Sequence, residues 1–317
     1  MMKRLKSIFE KNIKFVDNLI IFENQSGFEN QQHTNEVFSE KWLKNSIQST
    51  LNGVELFQKD WYLKLYGFEN EDNLKYFLET QQVIFDAGCG LGYKAAWFAT
   101  LSPESLVIGM DFSDAVVEAA RYYSNIKNLF FIKGDIASSG LRDNSVDYLS
   151  CDQVIHHTQN PPETFNHLSS KIKSGGQFAC YVYAKKALPR ELLDDYFRSY
   201  SKTLSKEELW KLSEKLTELG KNLSDLKVDI DVPDIPLLGI KGGNYDIQRF
   251  LYWNFIKCFW NKDFGWENSV STNFDWYAPS NAARYTEEEF KKWISNNRFK
   301  IVHFHKEEAC YSGRFKR

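Results

Sequence analysis

The sequence predicts an α/β fold in which a mostly parallel sheet carries helices on both faces. Four apolar runs begin at residues 83, 106, 129 and 146, and each is followed closely by an acidic residue. Helix-compatible segments separate the runs, as expected for buried parallel strands joined by helices. The acids then fall at the carboxyl ends of the strands, where sheets of this kind bind their ligands.

The composition favours an intracellular enzyme. The chain has 317 residues, 43% of them hydrophobic, which suffices for one large core or for a core and a second lobe. Its formal net charge of −2 argues against a nucleic-acid partner. Five cysteines without a C-x-x-C pair are expected to be reduced thiols. The N-terminal apolar stretches are too short and too charged for a signal peptide or membrane span, so we expect a cytoplasmic location and no membrane partner.

Residues 1–80 are expected to form an N-terminal helical cap. They mix short apolar runs with aromatic residues, which either cover the ligand crevice or form a packing layer without ligand contact. These aromatic residues are Phe38, Trp42, Trp61, Tyr62 and Tyr66.

Residues 81–184 carry the core pattern, and the loop after its first strand indicates the ligand. Asp86 is followed by Gly88-x-Gly90-x-Gly92, and these glycines and the N-terminus of the next helix let a ligand approach the backbone. A dinucleotide usually needs G-x-G-x-x-G, and the carboxylate would repel its pyrophosphate. The carboxylate instead favours a ligand with an ammonium and a sulfonium group, such as S-adenosylmethionine. A tight turn without a ligand is the alternative.

The other acids suggest how such a ligand is held. Asp111 offers acceptor oxygens for both ribose hydroxyls, and Phe112 beside it is placed to pack on adenine. Asp135 is placed to accept a hydrogen bond from the adenine amine, and the N–H of Ile136 to donate to a ring nitrogen. Each acid alone also fits a helix N-cap or a turn, but four acids in register are much harder to explain by chance.

With these motifs, the sequence resembles the class I S-adenosylmethionine-dependent methyltransferases, in particular their small-molecule branch. The resemblance covers about residues 60–184 and returns weakly near the C-terminus. It implies a Rossmann-like, seven-stranded sheet with an antiparallel last strand. S-Adenosylmethionine would be the cofactor and S-adenosylhomocysteine the product. The motifs lie at residues 86–92, 111, 134–135, 154–162 and 173–176, where Ser174 replaces the proline of the family's Lys-Pro-Gly-Gly turn.

The predicted cofactor-binding residues lie at the four strand ends. They are Asp86, Gly88, Cys89, Gly90, Gly92, Asp111, Phe112, Asp135, Ile136, Asp152 and Gln153. We expect no metal site, because His303 and His305 lack a third ligand nearby in the sequence.

His156 and His157 follow the fourth strand, where the transferred methyl group should project. An imidazole titrates near neutral pH, which suits removal of a proton from a hydroxyl or a protonated amine. We therefore predict both histidines as catalytic residues. Alternatively, they fix the loop or stack on a ligand.

Residues 185–280 lose the alternating pattern and are predicted to form a substrate-binding lid that is helical and rich in aromatic residues. Ser205 and Glu208 give a capping-box signature, and Gly220 is predicted to end the helix that they begin. The aromatic residues of the stretch 245–277 either form a core or interface, or wall an acceptor pocket.

Residues 281–317 are predicted to complete the core with a helix, opened by the capping box of Thr286 and Glu289, and a strand at 299–304. In related methyltransferases the segment before this helix reaches into the acceptor site. The predicted substrate-binding residues, each of which fits a structural role equally well, are Tyr183, Asp275, Trp276, Tyr277 and Arg284.

The expected function is methylation of a small-molecule acceptor, at a hydroxyl of a natural-product, lipid-linked or sugar metabolite. Methylation at nitrogen or carbon, an RNA or protein acceptor, and a non-catalytic cofactor-binding protein are the alternatives. The sequence leaves open whether the protein forms a homodimer.

Overall fold

The computed structural model describes residues 1–10, 13–21, 29–44 and 54–317. The chain divides into two compact units. We call residues 1–184 with 283–317 the core unit and residues 185–282 the insert unit. The glycine loop and the two predicted catalytic histidines lie in the core unit.

The core unit contains a large sheet and helices. Its strands are β1 (Lys14–Val16), β2 (Leu19–Ile21), β3 (Val83–Ala87), β4 (Leu106–Asp111), β5 (Leu129–Lys133), β6 (Val146–Cys151), β7 (Ile172–Ala184), β10 (Arg284–Tyr285), β11 (Lys300–Lys306) and β12 (Cys310–Lys316). Its α-helices are α1 (Met2–Ser7), α2 (Glu29–Lys44), α3 (Val54–Tyr66), α4 (Glu71–Glu79), α5 (Tyr93–Leu101), α6 (Ala115–Tyr122), α7 (Pro161–Lys171) and α12 (Glu287–Asn296).

The insert unit contains helices and one hairpin. Its helices are α8 (Leu188–Ser201), α9 (Lys206–Asp225), α10 (Ile247–Asn254) and α11 (Gly265–Tyr277), and its hairpin strands are β8 (Asp229–Val232) and β9 (Gly243–Asp246).

The sheet of the core unit confirms the predicted fold class. Its order is β1-β2-β5-β4-β3-β6-β7-β12-β11, with β10 paired to β7. Strands β3 to β7 pair in parallel, and β12 is antiparallel to both of its neighbours. The predicted seven strands correspond to β5 through β11 in this order. The described sheet is wider because β1 and β2 extend one edge and β10 adds a short pairing.

Both faces of the sheet are buried, which explains the continuous apolar runs. In β3, Val83 and Phe85 pack into one hydrophobic cluster, whereas Ile84 packs into the cluster on the other face. Each such side chain contributes about 1.5–3 kcal/mol when fully buried. The strands are therefore fixed in the sheet from both sides, and their carboxyl ends are held in register.

The C-terminal prediction was incomplete. Thr286 and Glu289 form the predicted capping box of α12, and the predicted strand is β11. The antiparallel strand, however, is β12, which the apolar pattern did not indicate because it contains small residues such as Ser312 and Gly313. A Cβ on Gly313 would lie 2.4 Å from the carbonyl oxygen of His303, so glycine is needed for close strand pairing.

Helix α9 confirms one prediction and corrects another. Ser205 and Glu208 form the predicted capping box. The helix does not end at Gly220, because it continues to Asp225. A Cβ on Gly220 would lie 2.2 Å from the carbonyl oxygen of Cys258, so this glycine permits close packing rather than ending the helix.

We expect Gly220→Ala to lower the free energy of unfolding by about 1–3 kcal/mol, because the added methyl group overpacks against backbone. At an open helical position the same change stabilises by about 0.5–1 kcal/mol, so the sign of the effect is diagnostic. Urea denaturation measures it, with Lys221→Ala at the next position as the control. A stabilised Gly220→Ala protein would contradict the close approach.

Candidate active site

The glycine loop leads from β3 into α5. Gly88, Gly90 and Gly92 have φ angles of +81°, +52° and +78°, which favour glycine. A Cβ on Gly88 would lie 2.3 Å from Cγ2 of Val154, and one on Gly90 would lie 3.1 Å from the ring of Trp42. The loop is therefore confined by a residue that follows β6 and by a residue of α2.

Asp111, at the end of β4, holds this loop in place. The backbone N–H of Gly90 donates to its Oδ2 over 2.8 Å. Ser113 donates to Oδ1 from its backbone N–H over 2.8 Å and from Oγ over 2.5 Å. Burial raises the pKa of Asp111, and the hydrogen bonds from Ser113 and Gly90 oppose that shift. The carboxylate thus links the two strand ends that the sequence predicts for the cofactor.

A cavity of about 430 Å³ lies beside Phe112. Apolar residues, among them Ile20 and Val117, line it together with the polar residues Gln32, Asn35 and Lys133. This volume and this mixture of apolar walls and a few polar groups suit a small ligand such as a nucleobase. The predicted position for packing against adenine therefore adjoins space of suitable size.

The remaining predicted cofactor residues of the core unit fall around these strand ends. Asp135 accepts a hydrogen bond from the backbone N–H of Ala137 over 2.8 Å and caps the short 3₁₀ helix Ile136–Ser138. Asp135 therefore acts as a helix N-cap in this structure, which is the alternative role for these acids. Gln153 is exposed, with a φ of +61°, whereas Cys89 is buried and its burial raises the pKa of its thiol.

Lys94 is a functional candidate that the sequence reasoning missed. Its ammonium lies 3.1 Å from Oδ1 of Asp86 and 3.5 Å from Oδ2 of Asp152, and all three side chains are buried. The hydroxyl of Tyr66 donates to Oδ1 of Asp152 over 2.7 Å. A lone lysine in the otherwise apolar helix α5 was the available signal.

This network gives the buried carboxylate of Asp86 a partner within the protein. Burial raises the pKa of Asp86 to about 6, although Lys94 lowers it. Burial lowers the pKa of Lys94, but the carboxylates of Asp86 and Asp152 outweigh burial and raise it overall. Within the described protein the positive partner of Asp86 is therefore Lys94, and its contact with the cofactor stays a prediction.

The two predicted catalytic histidines lie directly after β6 in the 3₁₀ helix Ile155–His157. His156 is fully buried, and its ring lies 3.7 Å from that of Tyr183, centroid to centroid. His157 is 7% exposed, and its ring lies 4.9 Å from that of Phe38 on α2. Arg284 pairs with Tyr183 between β10 and β7. The structure therefore brings together both histidines and two predicted substrate residues.

The other three predicted substrate residues lie on α11 in the insert unit. Trp276 and Tyr277 are buried, and each donates a hydrogen bond to Asp194 over 2.8 Å. Asp275 is half-buried. Within that unit, Trp276 and Tyr277 have a clear packing role, and their contact with a substrate stays a prediction.

The aromatic residues of the N-terminal segment serve two purposes. Phe38 and Trp42 on α2 lie at His157 and at the glycine loop, as the covering alternative predicts. Tyr62 and Tyr66 on α3 are buried in the core instead. The hydroxyl of Tyr62 forms hydrogen bonds of 2.6 Å with the hydroxyl of Tyr148 and of 3.1 Å with Ser150 Oγ.

The β11–β12 hairpin supplies neighbours for His305 that the sequence spacing did not suggest. Potential ligand atoms of His305, Glu307 and Cys310 lie within 4.8 Å of one another. The imidazole hydrogen-bonds to Glu307 over 3.2 Å, and Lys64 lies 3.9 Å from the same carboxylate.

Among the helices of the described residues, none has the length and apolar character needed to cross a bilayer.

Comparison with known proteins identifies the domain. Residues 78–224 match the family described as "Methyltransferase domain". A stretch of 116 residues is 33% identical to an uncharacterised methyltransferase of Schizosaccharomyces pombe and covers 34% of this chain and 41% of that protein. A stretch of 114 residues is 29% identical to the tRNA (carboxymethyluridine(34)-5-O)-methyltransferase of Saccharomyces cerevisiae. It covers 34% of this chain and 39% of that protein. The chain thus spans about two fifths of the length of these curated relatives.

One similar solved structure is magnesium protoporphyrin IX methyltransferase of Synechocystis, crystallised with bound SAH (S-adenosylhomocysteine). The similarity covers 91% of this chain and 100% of that chain. Its sequence identity is 14% and its TM-score 0.46.

The parallel sheet, the glycine loop of β3 and the acids that follow β3 to β6 define the class as an S-adenosylmethionine-dependent methyltransferase domain. The matched residues 78–224 contain that loop and those acids. Residues 78–224 therefore form a methyltransferase domain of the class I S-adenosylmethionine-dependent kind, and the cofactor of that family is S-adenosylmethionine. The sequence prediction of family and cofactor is confirmed.

Proposed function

We propose that the whole chain transfers the methyl group of S-adenosylmethionine to a hydroxyl oxygen of a small-molecule acceptor. The observation that carries this proposal is the pair of buried histidines after β6, at the sheet edge that also carries the glycine loop. Displacement at a sulfonium is accelerated mainly by positioning and exclusion of water, and it needs a base only when the acceptor must lose a proton. Two imidazoles at this position suit that task.

The cofactor would be held by the loop and the strand ends of the core unit. The backbone of Gly88 and Gly90 can approach the ligand closely. Asp111 accepts three hydrogen bonds within the protein, which leaves about one acceptor position for a ribose hydroxyl. The cavity beside Phe112 has room for adenine. Because Lys94 compensates the charge of Asp86, we assign Asp86 and Lys94 to shaping the site rather than to direct neutralisation of the cofactor's ammonium group.

The acceptor is proposed to be a natural-product, lipid-linked or sugar metabolite. Its supporting observation is the number of aromatic rings in the insert unit, because such rings stack on planar groups and on sugars. Incubation with isotopically labelled S-adenosylmethionine and a panel of hydroxylated aromatics, lipid-linked compounds and sugars tests this. Location of the new methyl group by NMR distinguishes oxygen from nitrogen or carbon. A product methylated only at nitrogen or carbon would refute O-methylation.

The yeast relative acts on tRNA by its name, which makes RNA the second candidate acceptor. A tRNA arm in the same assay decides between the two. Labelling of tRNA that weakens steeply with salt, in the absence of any labelled small molecule, would favour RNA and refute the small-molecule proposal.

We expect His157→Ala to bind S-adenosylhomocysteine with nearly unchanged affinity and to lower kcat by about 10²–10⁴-fold, the range for loss of a general base. Calorimetry and initial rates with the acceptor found in the screen measure the two quantities. His305→Ala on the edge strand β11 is the matched histidine control and should retain its rate. Lost cofactor affinity with an unchanged rate at saturation would show that His157 is not a base.

A further inference from the structure

The insert unit contains a cluster of positive side chains around one indole ring. The Nζ of Lys257 lies 4.5 Å from the ring centroid of Trp276, the Cζ of Arg190 lies 5.2 Å from it, and the Nζ of Lys186 lies 5.9 Å from it. Lys257 is 6% exposed and Arg190 is 1% exposed. Three cations therefore lie within 6 Å of the centroid of one aromatic ring in a largely buried region.

The buried carboxylate in this cluster is already committed to other donors. Asp194 accepts from Nε of Arg190 over 2.7 Å, from Nε1 of Trp276 over 2.8 Å and from the hydroxyl of Tyr277 over 2.8 Å. A carboxylate has about four acceptor positions, so these three bonds use most of its capacity. Asp194 therefore balances Arg190 and has little capacity left for Lys257.

The ammonium of Lys257 forms no ion pair with any residue that the structure describes. Its backbone N–H donates to the hydroxyl of Tyr277, and its ammonium lies over the rings of Trp276 and Tyr252. Among the described residues, no carboxylate forms a salt bridge with that ammonium. A buried cation in this situation is costly, and such groups are concentrated at functional sites.

Charges of both signs act on Lys257. Burial is the main cause that lowers the pKa of Lys257 to about 7; the charges of Arg190 and Lys186 act in the same direction, and those of Asp275 and Asp194 oppose it. A bound negative charge would give the ammonium of Lys257 a close partner. The half-buried ring of Trp253, 5.4 Å from the Nζ of Lys186, extends the cluster to positions that solvent reaches.

We propose that Lys257, with Arg190 and Lys186, forms a binding site in the insert unit for an anionic group of a ligand, a carboxylate or a phosphate. The three cations supply the charge, and Trp276 with Trp253 supplies aromatic surface for the rest of the ligand. That the ligand is the methyl acceptor rests on the proposed function. The anion site itself does not, because it is tested by binding alone.

The test uses the full chain with inorganic phosphate and with benzoate as probes, titrated by calorimetry and by tryptophan fluorescence. We expect saturable binding of at least one probe, and the probe that binds more tightly distinguishes a phosphate site from a carboxylate site. Lys257→Met should weaken that binding by about 10-fold or more, because methionine is similar to lysine in shape but lacks the desolvated charge. Lys257→Arg should retain much of the affinity. Lys211→Met, an exposed lysine of α9, is the matched control and should bind like the wild type.

Thermal melting separates this role from a structural one. A lysine that only holds the unit together should destabilise the protein when it is lost. Lys257→Met is instead expected to melt at the same or a higher temperature, since it removes an unpaired buried charge. Saturable binding of neither probe, or unchanged affinity in Lys257→Met, would overturn the proposal, as would a clear loss of stability.

The pH dependence gives an independent readout. Benzoate keeps its charge from about pH 6 to about pH 9, whereas Lys257 loses its proton as pH rises through its pKa of about 7. Affinity for benzoate should therefore fall as pH rises over that range, and Lys257→Met should show a flatter profile. An S-adenosylhomocysteine titration of the same samples reports on the core unit. Normal S-adenosylhomocysteine binding without anion binding would refute this anion site alone. Anion binding without S-adenosylhomocysteine binding would refute the proposed function alone.

Discussion

Asp111→Ala is expected to weaken S-adenosylhomocysteine binding by about 100-fold or more. The variant loses the acceptor of the Gly90 N–H and the predicted acceptor of the ribose hydroxyls. A hydrogen bond from a ribose hydroxyl to this charged carboxylate contributes up to about 3 kcal/mol, which corresponds to about 100-fold in affinity, and the loop of Gly90 also loses its anchor. Isothermal titration calorimetry measures this directly.

Two further variants serve as comparisons for that measurement. Asp111→Asn keeps an acceptor oxygen without the charge and should fall between the wild type and Asp111→Ala. Asp72→Ala removes an exposed carboxylate in the first turn of α4 and should bind like the wild type. If Asp111→Ala, folded by circular dichroism, bound S-adenosylhomocysteine with wild-type affinity, the strand end of β4 would not be part of the cofactor site.

Lys94→Met is expected to lower the free energy of unfolding at neutral pH by about 3–5 kcal/mol, the range for loss of one partner of a buried ion pair. The change leaves the buried carboxylates of Asp86 and Asp152 without their shared cation. Urea denaturation measures the loss. Adding Asp86→Asn to Lys94→Met should restore part of it, because the neutral amide removes one uncompensated charge.

The deficit of Lys94→Met should also depend on pH. The pKa of Asp86 is raised from its ordinary 3.8 to about 6 in the folded protein. The stability that Asp86 contributes by holding its proton is thus present below about pH 3.8 and is lost as pH rises through about 6. Without Lys94 the pKa of Asp86 rises further, so the deficit should shrink in acid and grow towards neutral pH. If Lys94→Met lost the same free energy of unfolding in acid and at neutral pH, the charge argument would be contradicted.

The parts of the fold predicted from sequence are those that local patterns encode. The apolar runs of β3 to β6 are buried on both faces, and the glycine loop and its acids occupy the strand ends. The capping boxes of α9 and α12 were visible because a serine or threonine and a glutamate three residues later suffice to form them. Such signals require no knowledge of how distant segments pair.

The parts that were missed depend on distant contacts. Strand β12 forms because Gly313 can approach the backbone of His303, and Gly220 stays helical because it faces the backbone of Cys258. The pairing of Lys94 with Asp152 requires α5 and the end of β6 to meet across the sheet. Local propensity contains none of this information, since each case is decided by packing between elements far apart in the chain.

The candidate substrate residues show the same limit. Tyr183 and Arg284 meet because β10 pairs with the end of β7. Trp276 and Tyr277 are oriented by Asp194, a residue of α8 that the sequence pattern did not single out. The aromatic spacing indicated that this stretch packs, but it did not reveal the buried polar group around which it packs.

The most direct test of the account is a calorimetric titration of the wild-type chain with S-adenosylhomocysteine and, separately, with NAD. The glycine spacing and the charges at the strand ends predict saturable one-site binding of S-adenosylhomocysteine and no binding of NAD. Binding of NAD without binding of S-adenosylhomocysteine would contradict the account, since the loop of β3 would then hold a pyrophosphate rather than a methyl donor.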